Sequence, residues 1–459
     1  MVIYVALQKN DNIELKIESV TSQGSGIGHH ERMAVFVYGT VPGDVITAHI
    51  IKVKKNYAIG IIGEIITEGE SRIKSACPVS ERCGGCAFRN MTYEEELRGK
   101  KNRVQDAVKR IGHIDVEVEE IIGADSTDRY RNKAQYPVRI KDGELEAGFY
   151  AINSHRIIPC KGGDCLLSPA EFAKGIDAFA KWAKAENLTS FDERTGRGYL
   201  RHIYFRKAFA TGEFMACAVV NSETAENPDL LVSLLRENIE NLRSVQFNFN
   251  TANTNVILGE RTETVWGSDT ICDTLLGRKF QISADSFYQV NHDQCEKLYT
   301  VAKEFADFRG DEVLLDLYCG VGTIGITMAD GVKQLVGIEI VPKAIENARA
   351  NAKLNNIENA EFICADASQG AAELERRGIK PDVIILDPPR KGCDEALLDT
   401  VVKMSPERIV YVSCDSATFA RDAAILSSKG YAVKRLKAVD MFPRTTHVEA
   451  VSLLTKNHD

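Results

Sequence analysis

From Asp311 onward the chain alternates apolar strand-like runs with helical patterns of about 12 to 15 residues, which commits this half to successive βα units and a parallel sheet. Val313-Leu314-Leu315-Asp316-Leu317 runs into the turn Tyr318-Cys319-Gly320-Val321-Gly322-Thr323, and a second strand, Leu335-Val336-Gly337-Ile338, ends in Glu339. A third ends at Cys364-Ala365-Asp366 and a fourth at Asp387-Pro388-Pro389. Sheets of this kind hold ligands at the carboxyl ends of their strands, so these residues mark one edge. Glycine at 320 and 322 lets the backbone approach a ligand closely, and the helix that follows supplies free N–H groups. Glu339, about 20 residues on, is placed to accept from both ribose hydroxyls.

That pattern admits a dinucleotide dehydrogenase or an S-adenosylmethionine (SAM) methyltransferase. The form Asp316-x-Tyr318-Cys319-Gly320-x-Gly322-Thr323, the ribose acid and Asp387-Pro388-Pro389 favour the methyltransferase. Neither proline can continue a helix or donate to a ladder, so the strand terminus is held rigid where a sulfonium would lie. Taken singly, Asp316, Glu339 and Asp366 also read as caps of strand-to-helix turns. Their order at successive strand ends favours a cofactor site.

Downstream, Ile409-Val410-Tyr411-Val412-Ser413 delivers Cys414 to the same edge. An amine or hydroxyl acceptor needs no enzyme nucleophile, whereas C5 of uracil becomes nucleophilic only after something adds to C6. A cysteine thiolate can both add and leave. Cys414 therefore points to pyrimidine C5 chemistry, against the rival reading of a buried, inert thiol. The C5 proton must then go to a base, for which Glu449 in Thr445-Thr446-His447-Val448-Glu449, within the final βα unit, is the candidate and His447 the substitute.

A chain of 459 residues exceeds what one core usually organises, so two or three domains are expected. No apolar run is long enough to span a membrane, and Met1 to Asn10 lacks the layout of a secretory signal. The expectation is a cytoplasmic protein with no membrane contact and no obligate protein partner. Residues 11 to about 66 alternate apolar and polar positions in short pieces broken by Gly24-Ser25-Gly26 and Pro42-Gly43-Asp44, a small all-β barrel pattern. Ala34-Val35-Phe36-Val37 followed by Thr40-Val41-Pro42-Gly43-Asp44 resembles the TRAM module, a small RNA-binding barrel. The net charge of -8 argues against broad adsorption to nucleic acid. Four basic runs in the first half nonetheless favour a polyanionic ligand: residues 52–55, 97–103, 129–133 and 194–207.

The chain has 12 cysteines, which in a cytosolic protein read as thiols, catalytic groups or metal ligands rather than disulfides. Cys77, Cys83 and Cys86, with a distant fourth at Cys160 or Cys165, give four thiolates that suit zinc or an iron–sulfur cluster equally. Their Cys-x5-Cys-x2-Cys spacing is not the Cys-x3-Cys-x2-Cys of radical-SAM enzymes. Cys217, Cys272, Cys295, Cys319, Cys364 and Cys393 read as packing residues.

The combination of Ser413-Cys414-Asp415, Asp387-Pro388-Pro389-Arg390-Lys391-Gly392, Asp316-Leu317-Tyr318-Cys319-Gly320 and Thr445-x-His447-Val448-Glu449 resembles the RNA uracil-5 methyltransferase family. So do Phe287-Tyr288-Gln289-Val290-Asn291, Arg131-Asn132-Lys133, Leu200-Arg201-His202 and residues 253–259, so that the likeness covers essentially the whole chain. The bacterial 23S rRNA branch with an N-terminal TRAM domain is the nearest fit. The resemblance implies an OB-like β-barrel over residues 5–68, a β-rich, RNA-binding central domain with the cysteine cluster over 69–280, and a Rossmann-like class I methyltransferase domain over 281–459. It implies Cys414 as nucleophile, Glu449 as proton acceptor, and Gln289, Tyr318, Thr323, Glu339, Asp366 and Asp387 as SAM contacts. It further implies a [4Fe–4S] cluster on Cys77, Cys83, Cys86 and Cys165, with Cys160 the competing fourth ligand. The expected reaction converts a 23S rRNA uridine to 5-methyluridine. The alternatives are the same chemistry on tRNA, an N- or O-directed methyltransferase in which Cys414 is structural, and an RNA-binding or iron–sulfur sensing protein that keeps SAM as a structural ligand.

Overall fold

A computed structural model describes residues 7–160 and 165–457. Six strands, Asn12–Lys16, Ser19–Val20, Ser25–His30, Met33–Tyr38, Val45–Val53 and Tyr57–Thr67, form the N-terminal sheet. Their alternation sends Leu15, Ile17, Val35, Val37, Ile46, Ala48 and Ile50 into one shared core. The start expected at residue 5 lies outside the described residues. Buried Asp44 ties this unit to the linker that follows: Oδ1 accepts from the Gly69 N–H at 2.9 Å, and Arg72 pairs with Oδ2 at 2.5 Å.

The middle of the chain builds a seven-stranded sheet in the spatial order Ile157–Pro159, Glu144–Tyr150, Lys133–Lys141, Leu200–Lys207, Phe214–Val220, Leu242–Phe249, Arg261–Gly267. Phe214–Val220 is apolar throughout because both of its faces are covered. Phe214, Ala216, Ala218 and Val220 pack under the helices Ala170–Ala185 and Pro228–Asn238, whereas Met215, Cys217 and Val219 join the core of the C-terminal half. A purely β-rich reading of this segment misses the two helices. The first carries its signal in Phe172, Ile176, Phe179 and Ala183, a helical spacing whose residues are all buried.

Eight strands build the C-terminal sheet in the order Ala360–Cys364, Gln334–Glu339, Val313–Leu317, Val383–Leu386, Arg408–Ser413, Glu449–Lys456, Tyr431–Val439, Ile121–Ile122. The first five run parallel, as the βα pattern implies. Two expectations are corrected. Glu449–Lys456 runs antiparallel to both of its neighbours, so Glu449 opens an antiparallel strand instead of belonging to a final βα unit. An apolar run such as Ala450-Val451-Ser452-Leu453-Leu454 specifies a strand but not its direction. In addition, Ile121–Ile122, expected within the central segment, pairs with Ala438 and Val439 as the edge strand.

The helix Tyr93–Arg110 also serves the C-terminal half, packing against the helix Ser416–Ser428. Thr92 caps it by accepting from the Glu95 N–H at 3.4 Å, and three glutamates in the first turn with Lys109 and Arg110 in the last complement its dipole. Its buried face is apolar at Val104, Ala107 and Val108 and polar in the turns before them. Buried Lys100 donates to Glu96 Oε1 and Asp440 Oδ1, both at 2.7 Å, and to the Phe442 carbonyl at 3.1 Å. The Tyr93 hydroxyl donates to Asp440 Oδ2 at 2.8 Å, and the Arg444 N–H to Glu96 Oε1 at 2.7 Å. The helix is thereby tied to residues 440–447. Lys100, read as part of a basic run, is neutralised internally, and Arg206 from another run is buried and donates to the carbonyls of Ser283 and Ser286. Among the described residues no helix is long and apolar enough to cross a membrane.

Candidate active site

Ser413 pairs with Ala450 in the antiparallel ladder, so the next residues outward, Cys414 and Glu449, lie opposite each other at the carboxyl edge of the parallel strands. Asp415 fixes the turn beyond Cys414 by capping Ser416–Ser428, its Oδ1 accepting from the Ala417 and Thr418 N–H groups at 3.0 Å. Glu449 is 4% exposed. Burial, then the neighbouring Asp387, pushes its carboxyl up to about 8, against the pull of Arg390. Burial, followed by Glu449 and Asp387, likewise pushes the Cys414 thiol up to about 11, again with Arg390 opposing.

Asp387 follows the strand Val383–Leu386, and burial raises its carboxyl to about 7. Asp316 is raised to about 7 by burial first and then by Asp387 and Glu339; its Oδ2 accepts from the Gly325 N–H at 2.9 Å while Oδ1 has no partner. Among the described residues none of Asp316, Asp387 and Glu449 forms an ion pair. Three carboxyl groups thus share one edge without an ion-pair partner, and a sulfonium is a ligand that adds positive charge there.

The rest of the pocket is made by the turn after Val313–Leu317. Tyr318, Gly320 and Gly322 all have positive φ, at 65°, 54° and 83°. A side chain at Gly320 would meet only open space, which is the room a bound nucleoside needs. Across this turn Glu339 Oε2 accepts from the Gly320 N–H at 3.2 Å and Oε1 from the Val341 N–H at 2.9 Å. These residues fit SAM by charge and by room. Gln289 is buried, its carbonyl accepting from Asn132 Nδ2 at 2.7 Å. Thr323 Oγ1 lies 2.9 Å from the Tyr299 hydroxyl, and exposed Asp366 caps its helix by accepting from the Ser368 N–H at 3.0 Å.

Two groups of residues escaped the sequence reading. In sequence His447 reads only as a substitute base, Arg103 only as the end of a basic run, and Arg390 only as part of a family motif. Arg390 Nη2 lies 3.3 Å from His447 Nε2, and Arg103 Nη1 donates to the Thr446 carbonyl at 2.7 Å. Burial, then Arg390, Arg103, Arg131 and Lys100, pushes the His447 imidazole down to about 4. A ring so disfavoured as a cation fits a base less well than the Glu449 carboxylate does. The second group is buried Asp422, whose Oδ2 accepts from the Tyr411 hydroxyl at 2.6 Å and the Cys393 N–H at 2.8 Å. Arg421 reaches from it to the Lys391 carbonyl at 2.9 Å, and Gly392, at φ 75°, passes so close that a Cβ would lie 2.5 Å from Asp422 Oδ2. This contact holds the loop carrying Arg390 against the helix that follows Cys414. The only signal for it in the sequence is the glycine itself.

Cys77, Cys83, Cys86, Cys160 and Cys165 line one cavity of about 330 Å3, together with Arg89, Arg131 and Lys133. The Gly85 N–H donates to Cys83 Sγ at 3.4 Å. Among the described residues no three ligating side chains converge closely enough to hold a metal ion. Residues 161–164, between the two candidate fourth ligands, lie outside the described residues. The donor set is all thiol, and its surroundings are basic. Of the six cysteines read as packing residues, Cys217, Cys295, Cys319 and Cys393 are buried, Cys272 is half-buried and Cys364 is exposed at the end of its strand.

Residues 7–62 match the TRAM domain, and residues 234–457 match the tRNA (uracil-5-)-methyltransferase family. Fold, cofactor edge and N-terminal module together define a class I SAM-dependent RNA methyltransferase. An RNA methyltransferase of Clostridium tetani is 42% identical over 451 residues, covering 98% of both chains, and one of Listeria monocytogenes is 44% identical over 455 residues, covering 98% of this chain and 99% of its own. The structure is similar to that of a tRNA (uracil-54, C5)-methyltransferase of Pyrococcus abyssi in complex with S-adenosyl-L-homocysteine, with a TM-score of 0.77, 26% identity, and coverage of 96% of this chain and 100% of that one. The chain belongs to the RNA uracil-5 methyltransferase family.

Proposed function

We propose that the protein methylates C5 of a uridine in 23S rRNA, giving 5-methyluridine, through covalent catalysis by Cys414. The opposition of Cys414 and Glu449 one residue beyond the Ser413–Ala450 pair carries the reading. The Cys414 thiolate adds to C6 of the uracil, and the electron pair of the C5–C6 double bond moves toward O4, making C5 nucleophilic. Arg390 favours the thiolate. When bound, SAM supplies an electrophilic methyl carbon on a sulfonium. Once C5 carries the methyl group, Glu449 takes the C5 proton, the C5–C6 double bond re-forms, and the thiolate leaves C6. Glu449 and Asp387 ionise more readily when positive charge stands beside them, which suits the base to a loaded site. Glu339 takes the ribose, Gln289, Tyr318 and Asp387 line the cofactor, and Thr323 and Asp366 frame the same edge.

The pairing of a TRAM module with Cys77, Cys83, Cys86 and Cys165 supports the ribosomal substrate. These four cysteines would hold a [4Fe–4S] cluster that joins the linker to the central sheet and shapes the RNA-binding surface. A second reading, the same chemistry on tRNA, is favoured by the likeness to the Pyrococcus abyssi enzyme. Incubating the protein with SAM and unmodified 23S rRNA or tRNA, followed by nucleoside mass spectrometry, separates them. 5-Methyluridine in 23S rRNA alone is the expected result. Its formation only in tRNA would overturn the substrate, and its absence from both the Cys414 mechanism.

A further inference from the structure

Three segments bring nitrogen donors to the surroundings of Cys414: Arg390 from the loop after Asp387-Pro388-Pro389, Arg103 from the helix Tyr93–Arg110, and the neutral ring of His447 from the segment leading to Glu449. Arg390 is exposed and its Nη2 lies 3.3 Å from His447 Nε2, while Phe442 holds that ring edge-on at 5.8 Å. Arg103 spends Nη1 on the carbonyls of Thr446 at 2.7 Å and Ser22 at 3.4 Å, which points its guanidinium to this rim. Thr446 lines both the groove of about 940 Å3 between the N-terminal sheet and the helix Tyr93–Arg110, where Arg103 also lies, and the neighbouring cavity that contains His447 and Arg131, so Arg103 and His447 flank the ridge between two openings.

Among the described residues neither arginine has a carboxylate within 4.0 Å. The acid facing Arg103, Asp415, has an oxygen committed to two N–H groups of its helix. Arg131 and Lys100 add further positive charge to the ring's surroundings, and Lys100 alone of these is neutralised by partners of its own. Gathering uncompensated cations about a neutral imidazole is unfavourable until an anion arrives. A guanidinium fork and an imidazole N–H are the donors that a phosphodiester accepts.

We infer that Arg390, Arg103 and His447 form a binding site for a backbone phosphate adjoining the nucleotide whose base reaches Cys414. The inference rests on the proposed function, since it takes Cys414 as the point the base reaches. The site gives the chain a way to hold an extruded nucleotide by its own phosphate, independent of sequence elsewhere in the RNA.

The test is protection of Cys414 from iodoacetamide, read by mass spectrometry, with four probes: uridine, uridine 3′-phosphate, uridine 5′-phosphate and uridine 3′,5′-bisphosphate. Protection is taken as the ratio with and without probe for each protein, which removes any change in intrinsic thiol reactivity. The bisphosphate is expected to protect at about tenfold lower concentration than uridine, as for one charge-assisted contact, and one of the two monophosphates should carry that gain. Arg103→Gln/Arg390→Gln should lose the gain while keeping uridine protection and S-adenosylhomocysteine binding. Arg390→Gln alone, at an exposed side chain, should lose part of it and serves if the double variant does not fold. A bisphosphate no better than uridine, or a gain that survives in both variants, would overturn the site. If cytidine 3′,5′-bisphosphate protects as well as the uridine compound and with the same arginine dependence, the phosphate site stands and the uracil reading falls.

Discussion

Cys414 and Glu449 face each other across the open end of an antiparallel pair, one residue past Ser413 and Ala450, although they belong to different strands and different sequence motifs. The two side chains are brought together by backbone register, so a nucleophile and a base reach one uracil ring without any contact between helices having to position them.

Removing either group should therefore give distinct outcomes. Cys414→Ala should abolish turnover and spare SAM binding. Glu449→Gln should lower turnover by about 10² to 10⁴ and leave a covalent protein–RNA adduct, because addition and methylation proceed while proton removal does not. Denaturing gel electrophoresis with labelled RNA reads the adduct, and its absence would count against Glu449 as the base.

Glu449 also sets a pH dependence. Its folded carboxyl, raised by burial to about 8, holds the proton more tightly than the unfolded chain does. Its contribution to stability is thus whole below the ordinary carboxyl range and is lost as pH rises through about 8, with Asp387 acting in the same sense through about 7. Thermal unfolding of the ligand-free protein should show Tm falling over that window, and Glu449→Gln should flatten the fall.

Lys100 lies between two buried acids, Glu96 and Asp440. Lys100→Ala leaves both uncompensated and should cost about 3–5 kcal/mol of stability by denaturant titration. A change below 1 kcal/mol, on the scale of an exposed pair, would show that the network does not anchor the helix Tyr93–Arg110.

Gly392→Ala places a methyl group against Asp422 and Arg421 at a positive φ. The conformation alone disfavours it by about 1–2 kcal/mol. The collision should also displace Arg390, so turnover should fall more than the loss of Tm accounts for; equal effects would assign Gly392 to folding alone.

Cys83→Ser should release iron and weaken RNA binding together if the cluster shapes the RNA surface. Iron analysis of anaerobically purified protein and an RNA titration check both halves, and RNA affinity that survives loss of iron would separate them.

Much of the catalytic half is written locally. Gly320, Glu339 and Asp387 each lie at or just beyond the end of a strand whose apolar run is unmistakable, so their shared edge follows from the βα rule. The direction of the strand Glu449–Lys456 does not, because an apolar run reads alike both ways, and so the opposition of Cys414 and Glu449 emerges only from pairing. Lys100 and Arg206 look like solvated charge in sequence, since burial of a cation depends on partners such as Asp440 that lie far along the chain. Asp422 is invisible for the same reason: a carboxylate in a helix carries no mark of the loop it holds. The helix Ala170–Ala185 was legible by its periodicity and was hidden only by the strands on either side of it.

The strand Ile121–Ile122 has a consequence for how the molecule is made. Its partners Ala438 and Val439 belong to the strand Tyr431–Val439, and the adjoining pair Glu119 and Arg435 is separated by 316 positions. A ribosome releases the first of these long before the second exists. The stretch around Ile121 must therefore wait, its backbone donors unmatched, until the strand Tyr431–Val439 has been made and can reach it.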